Sequence, residues 1–182
     1  MVVQQDRRTL WLIDPKHTRV EFAVAYLTFT TVKGHFTGVS GTIRFDDMDL
    51  PGASVEVEID AASLDTAEGR RDTHLRSADF LDVERYPTIA FSSTSIEPLD
   101  DHRMLIHGDL TIRGTTRPIG LEAELKGRAR DPQGLEVIGL AARTEINRRD
   151  FGLGWNEVLE GGGALVGDTV AIQIEVQAIR QE

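Results

Sequence analysis

Apolar and polar side chains alternate with a period of two along almost the whole chain, and the pattern gives way once, between Asp65 and Glu84, to helical spacing. A two-residue period places successive side chains on opposite faces of a strand, so repeated runs of it require a sheet with one buried face. Val20, Phe22, Val24 and Tyr26 share a face in the first clear run, against Arg19, Glu21, Ala23 and Ala25. The runs Val39-Gly41-Ile43-Phe45, Val55-Val57-Ile59, Ile119-Leu121-Ala123-Leu125 and Val170-Ile172-Ile174-Val176 repeat the pattern, turning Glu56, Glu58, Glu122, Glu124 and Glu175 toward water. Three less regular runs, Thr88 to Ile96, Met104 to Arg113 and Glu136 to Ile146, predict strands whose inward face switches near Gly108 and Gly139, as a bulge requires. Segments 46–52, 98–103, 113–117 and 130–134 are rich in Gly, Pro and Asp and predict short antiparallel turns. Such a sheet predicts closure into a barrel, and a barrel interior holds either interlocked side chains or a ligand.

Within the interruption, Leu75, Ala78 and Leu81 stand three apart, and Asp72 precedes Arg76 by four, the spacing of a helical ion pair. A short helix of about two turns is expected around residues 67–83. Tyr86-Pro87 then returns the chain to an extended conformation, because the residue before a proline disfavours the helical region.

With 182 residues, 40% of them hydrophobic, the chain suits one buried core, and a single domain over residues 1–182 is expected. It has no Cys, which removes disulfides, thiolate metal sites and cysteine nucleophiles. Thirty acidic against twenty basic residues give a net charge of -10, which argues against nucleic acid and anionic lipid surfaces as partners. The N-terminal MVVQQDRRTL has no apolar run of signal-peptide length, and no segment approaches the ~20 apolar residues of a membrane span. A cytoplasmic protein is the resulting expectation.

Few motifs point to chemistry. His17, His35, His74, His102 and His107 form no HExxH arrangement and no carboxylate-flanked helical pair, so neither metal nor cofactor is expected. Gly38-Val39-Ser40-Gly41 lacks the nucleophile-elbow spacing. Gly161-Gly162-Gly163 with Gly167 matches no phosphate loop and reads as a flexible turn before the last strand. Most charges of the helical segment suit a solvated face, but Arg71 or His74 turned toward the barrel mouth would suit an anionic or polar head group. The loop from Asn147 to Asn156 gathers Phe151 and Trp155, which either plug one barrel end or form a pocket rim.

Trp11-Leu12-Ile13-Asp14 with His17, Val32-Lys33-Gly34-His35-Phe36, the run Arg71 to Asp82, Tyr86-Pro87-Thr88-Ile89-Ala90-Phe91, Gly108 to Gly114 and Asp150-Phe151-Gly152 are ordered motifs spread over nearly the whole chain. In these the chain resembles the YceI-like family of polyisoprenoid-binding proteins. The resemblance implies an all-β fold: an extended eight-stranded antiparallel lipocalin-like barrel with a short helical insert. It also implies an elongated apolar tunnel for an isoprenoid or similar amphiphilic chain, a homodimer, and no established catalytic residues. Tyr26 stands where many members have histidine.

The expected function is non-catalytic binding of a long-chain amphiphilic lipid, such as an isoprenoid, an isoprenoid quinone or a fatty-acid derivative. Its ligand-binding residues are taken as Phe22, Val24, Tyr26, Phe36, Ile43, Val57, Ile59, Arg71, His74, Phe91, Leu110, Leu121, Phe151, Trp155, Ile172 and Ile174. Burying each methylene contributes ~0.8 kcal/mol, against which lost freedom costs ~4–15 kcal/mol, so affinity should climb steeply with tail length. One alternative is an enzyme acting on a small hydrophobic or isoprenoid substrate, with His74 or His107 as general base and Asp72 or Asp109 orienting it. Another is a filled barrel serving as a structural or partner-binding domain.

Overall fold

The computed structural model describes residues 6–182, so the first half of MVVQQDRRTL, weighed above as a leader, lies outside the described residues. In chain order come β1 (Thr9–Ile13), β2 (Arg19–Tyr26), β3 (Thr30–Phe36), β4 (Val39–Asp46), β5 (Asp49–Asp60), β6 (Leu64–Asp65), α1 (Gly69–Arg76), β7 (Thr88–Pro98), β8 (Arg103–Ile112), β9 (Thr115–Arg130), β10 (Glu136–Asn147) and β11 (Val166–Arg180). All pairings are antiparallel, in the order β1-β4-β5-β7-β8-β9-β10-β11, and β11 returns to β1 through Trp11↔Arg180 and Ile13↔Ala178. β2 lies along the same edge of β11 as β1, with Phe22 opposite Ile172. β3 pairs with β2 as β4 does with β1, and β6 pairs with β3 as β5 does with β4. The eleven segments therefore fill eight places around one ring, closed through β1 and β11, while β3 pairs beyond β2 only where His35 and Phe36 meet β6.

The break between β1 and β2 has a local cause: Asp14 accepts from the Lys16 backbone N–H and caps a short 3-10 turn started by Pro15. Gly161, Gly162 and Gly163 all take positive φ in the turn before β11, a conformation that costs glycine nothing.

The inward face expected to switch at Gly108 and Gly139 does not switch there; the bulge lies each time in the strand facing the glycine. Gly108 pairs with Ser93 and His107 with Ser95, so the extra residue is Thr94 of β7. Gly139 pairs with Gly127 and Leu140 with Leu125, so the extra residue is Lys126 of β9. β8 and β10 keep one inward face throughout, through Met104, Ile106, Leu110 and Ile112 and through Ile138, Leu140, Ala142, Thr144 and Ile146. A Cβ on Gly108 would press on the Phe91 ring and the Ser92 carbonyl, whereas one on Gly139 would make only an ordinary contact with Lys126.

The helix has the expected two turns, ends at Arg76 and is followed by turns through Ala78 and Leu81. The Asp72–Arg76 ion pair does not form. Asp72 is buried and accepts from the Thr66 backbone N–H at 3.0 Å and the Thr66 hydroxyl at 2.5 Å. Arg76 donates instead to the Ala62 and Leu64 carbonyls. Tertiary carbonyls within reach outcompete a surface pair worth a few tenths of a kcal/mol.

Side chains pack at both barrel ends. Trp11, Ile13, Ile43, Phe45, Ile138 and Ala178 cluster near the β4–β5, β7–β8 and β9–β10 hairpins. Leu64, Leu81, Phe151 and Leu153 pack at the other end, beneath α1 and the loop before β11.

Candidate functional site

Between the packed ends lies a cavity of about 800 Å³ whose lining draws on every strand of the ring. Phe22, Val24, Phe36, Ile43, Val57, Ile59, Phe91, Leu110, Leu121, Ile172 and Ile174 all line it. Phe22, Val57, Ile59, Ile172 and Ile174 face inward and pack against the core cluster, yet are only partly buried because they also border the cavity. The volume falls within the range of small-molecule pockets, so a filled barrel is not what the chain builds.

Charged groups gather at the two ends of this lining, and the wall between them is apolar apart from Thr18 and Thr144, whose hydroxyls donate to the Gln177 and Gly120 carbonyls. At the hairpin end stand Asp47, Asp100, Asp101 and Arg128; at the helix end stand Tyr26, Glu68, Arg70, Arg71, His74 and Trp155. Glu68 caps α1 by accepting from the backbone N–H groups of Arg70 and Arg71. Arg71 then donates through Nε to the Thr66 hydroxyl at 2.7 Å and through Nη2 to the Thr66 carbonyl at 2.8 Å, while that hydroxyl donates to Asp72. A buried carboxylate thus fixes a threonine that fixes the guanidinium at the cavity mouth. His74 Nε2 lies 2.8 Å from Asp79, and its ring meets Phe80 and Trp155 edge-on at 5.1 and 4.5 Å.

Trp155 reaches the cavity because Arg148 organises its loop. That guanidinium is 3% exposed and donates to the carbonyls of Leu153 at 2.5 Å, Trp155 at 2.9 Å, Gly167 at 2.8 Å and Val166 at 3.3 Å. Burial, helped by repulsion from Arg149, lowers its pKa from the usual arginine range. At the opposite end the backbone N–H of His102, with the side chain and N–H of Arg103, holds Asp100 down to about 2.

Three sequence expectations need correction. Phe151 does not line the cavity; it is 2% exposed and plugs the packed end below α1. His107 lies on the outer face of β8, 3.7 Å from Glu97, and Asp109 is also exposed there, so neither reaches the interior. Asp72 is bound to Thr66 and does not orient His74, whose carboxylate partner is Asp79. The sequence reading also missed Arg128 and Arg148. Gly127 inside a strand was the available signal for the bulge that aims Arg128 inward; nothing local marks Arg148, whose partners lie up to nineteen residues away.

A closed antiparallel ring around a largely apolar cavity, charged only toward its ends, defines a lipocalin-like barrel. The chain belongs to the YceI-like family, whose domain model matches residues 11–178. It is 33% identical over 167 residues to a UPF0312 protein of Pseudomonas putida, covering 92% of this chain and 83% of that one. A UPF0312 protein of Vibrio cholerae is 37% identical over 145 residues, 79% of this chain and 77% of its own. Among solved structures, a Campylobacter jejuni YceI protein matches with a TM-score of 0.71 at 30% identity, covering 87% and 90% of the two chains. A polyisoprenoid binding domain from Saccharophagus degradans shares the fold, with a TM-score of 0.71 at 14% identity over 96% of this chain and all of that one.

Proposed function

We propose that the protein binds and carries a long-chain amphiphilic lipid, an isoprenoid, an isoprenoid quinone or a fatty-acid derivative, without acting on it chemically. The observation that carries this reading is the cavity of about 800 Å³, with predominantly apolar walls and charged groups at its ends. Family membership and the fold shared with a polyisoprenoid binding domain support it. The tail lies among the strand side chains, where each buried methylene contributes ~0.8 kcal/mol.

The head group sits at the helix end. There Arg71 uses Nε and Nη2 on Thr66, which leaves Nη1, the Tyr26 hydroxyl and the Trp155 indole N–H as donors beside the cavity. Because Asp72 and Thr66 hold the guanidinium in place, little side-chain entropy remains to be lost on binding. Homodimerisation is part of the same proposal, and sedimentation of the purified protein checks it.

Organic extraction followed by mass spectrometry of the purified protein should release a long-chain amphiphile, and native mass spectrometry should show the same mass added to the chain. Protein that emerges empty and ignores added prenyl alcohols and fatty acids contradicts the reading.

A further inference from the structure

The hairpin end of the cavity is closed by a side chain that the alternation of its own strand would turn outward. Along β9, Ile119, Leu121, Ala123 and Leu125 line the cavity, and strict period two would continue that face to Gly127 and leave Arg128 outside. Because Lys126 bulges out of the ladder, the inward face passes to Arg128. Its guanidinium grips Asp47 with two prongs, Nη1 donating to Oδ2 at 3.2 Å and Nη2 to Oδ1, and lies over the Phe45 ring with Cζ 5.3 Å from the centroid. Phe45 in turn stacks on the buried Trp11, their centroids 5.6 Å apart. Asp47 belongs to the turn between β4 and β5. In the ring order β4 and β9 stand four places apart among eight, so the pair spans the opening instead of lying along its rim.

We propose that Arg128 and Asp47 form a gate that sets the longest tail the cavity accepts. This rests on reading the cavity as a tail site. A hydrocarbon advancing from the helix end meets apolar wall until it reaches a hydrated charge pair, beyond which a further methylene would leave the apolar lining for water. With side chains 37% and 63% exposed, both partners remain in touch with water, so the pair closes the opening without sealing it as a packed aromatic would. Asp100 and Asp101 line the same end and disfavour an anionic head group there, which directs the tail rather than the head toward the gate.

The test measures dissociation constants for saturated fatty acids from dodecanoic to tetracosanoic acid, by displacement of a fluorescent fatty-acid analogue. Four proteins are compared: wild type, Arg128→Ala, Asp47→Ala, and Arg143→Ala, whose outward pair with Glu122 lies off the cavity. Wild-type affinity should tighten about fourfold per methylene, the ratio expected from burying one such group, and then stop tightening at one length. That break should move to longer acids in Arg128→Ala and Asp47→Ala and stay in place in Arg143→Ala. A break at the same length in all four, or in none, overturns the gate and leaves the carrier intact. A shift in Arg143→Ala as well assigns the effect to general loosening and also overturns it. Wild-type protein that takes up no acid of the series overturns the carrier reading, and the gate with it.

Discussion

Two aromatic or aliphatic side chains on inward strand faces can have opposite energetic roles, depending on whether they border protein or space. Trp11 is 1% exposed and stacked on Phe45, so Trp11→Ala should cost about 3–5 kcal/mol in chemical denaturation. Ile172 borders the cavity, and the empty space beside it can accept a larger ring. Ile172→Trp should change unfolding free energy by less than about 1.5 kcal/mol while abolishing lipid uptake in a binding assay. A large loss of stability from the tryptophan would mean that the space is not available. Asp100 offers a test by pH. Its folded pKa of about 2 lies below the ordinary carboxylate value, so its contribution to stability is present above about pH 4 and fades as pH falls toward 2. The stability difference between wild type and Asp100→Asn should therefore shrink on acidification across that window.

Strands, helix and loop divide the work of building the site. The strands supply the wall, and their alternation was legible: every aliphatic and phenylalanine side chain named from the strand runs as a ligand contact faces the cavity. The helix was legible as an interruption, but its charges were not, because Asp72 turned to Thr66 and Arg76 to the carbonyls of residues 62 and 64. Asp72→Ala should cost about 1–3 kcal/mol by leaving the Thr66 N–H unsatisfied, and should weaken uptake of fatty acids by freeing Arg71. Calorimetry on Asp72→Ala and Asp72→Asn separates these effects, since the asparagine keeps an acceptor. The loop before β11 depends on Arg148. Arg148→Ala should raise hydrogen exchange through residues 153–167 and lower stability by about 3 kcal/mol, since it removes the donor from the Leu153, Trp155 and Gly167 carbonyls, while Val166 keeps Asn156.

For the whole molecule, closure of the ring through β1 and β11 couples every wall residue to one cavity, so a bound lipid should stabilise the barrel as a unit. Saturation at a hundred times the dissociation constant adds about 2.7 kcal/mol to the folded state. At one fixed lipid concentration the thermal midpoint should therefore rise with each longer fatty acid up to the limiting length, and a midpoint insensitive to added lipid contradicts uptake. The helix end carries Tyr26, Arg71 and Trp155 and the hairpin end the paired Asp47 and Arg128, which gives the two ends different chemistry.

Which residues face inward follows from local alternation, because side chains along a strand point to opposite sides whatever the rest of the fold does. Whether those inward residues meet one another or surround space does not, since it depends on how many strands close the ring and on how far bulky groups reach across it. Trp11 and Phe151 pack wholly against protein, whereas the lining runs from Asp47 and Arg128 at one end to Tyr26 and Trp155 at the other, a division that alternation alone does not mark. The bulge at Lys126 moves Arg128 from the outer face to the inner one, where it meets a carboxylate eighty-one residues away. Contacts of that separation exist only once the barrel has closed, and for that reason the hollow and its gate belong to the tertiary structure.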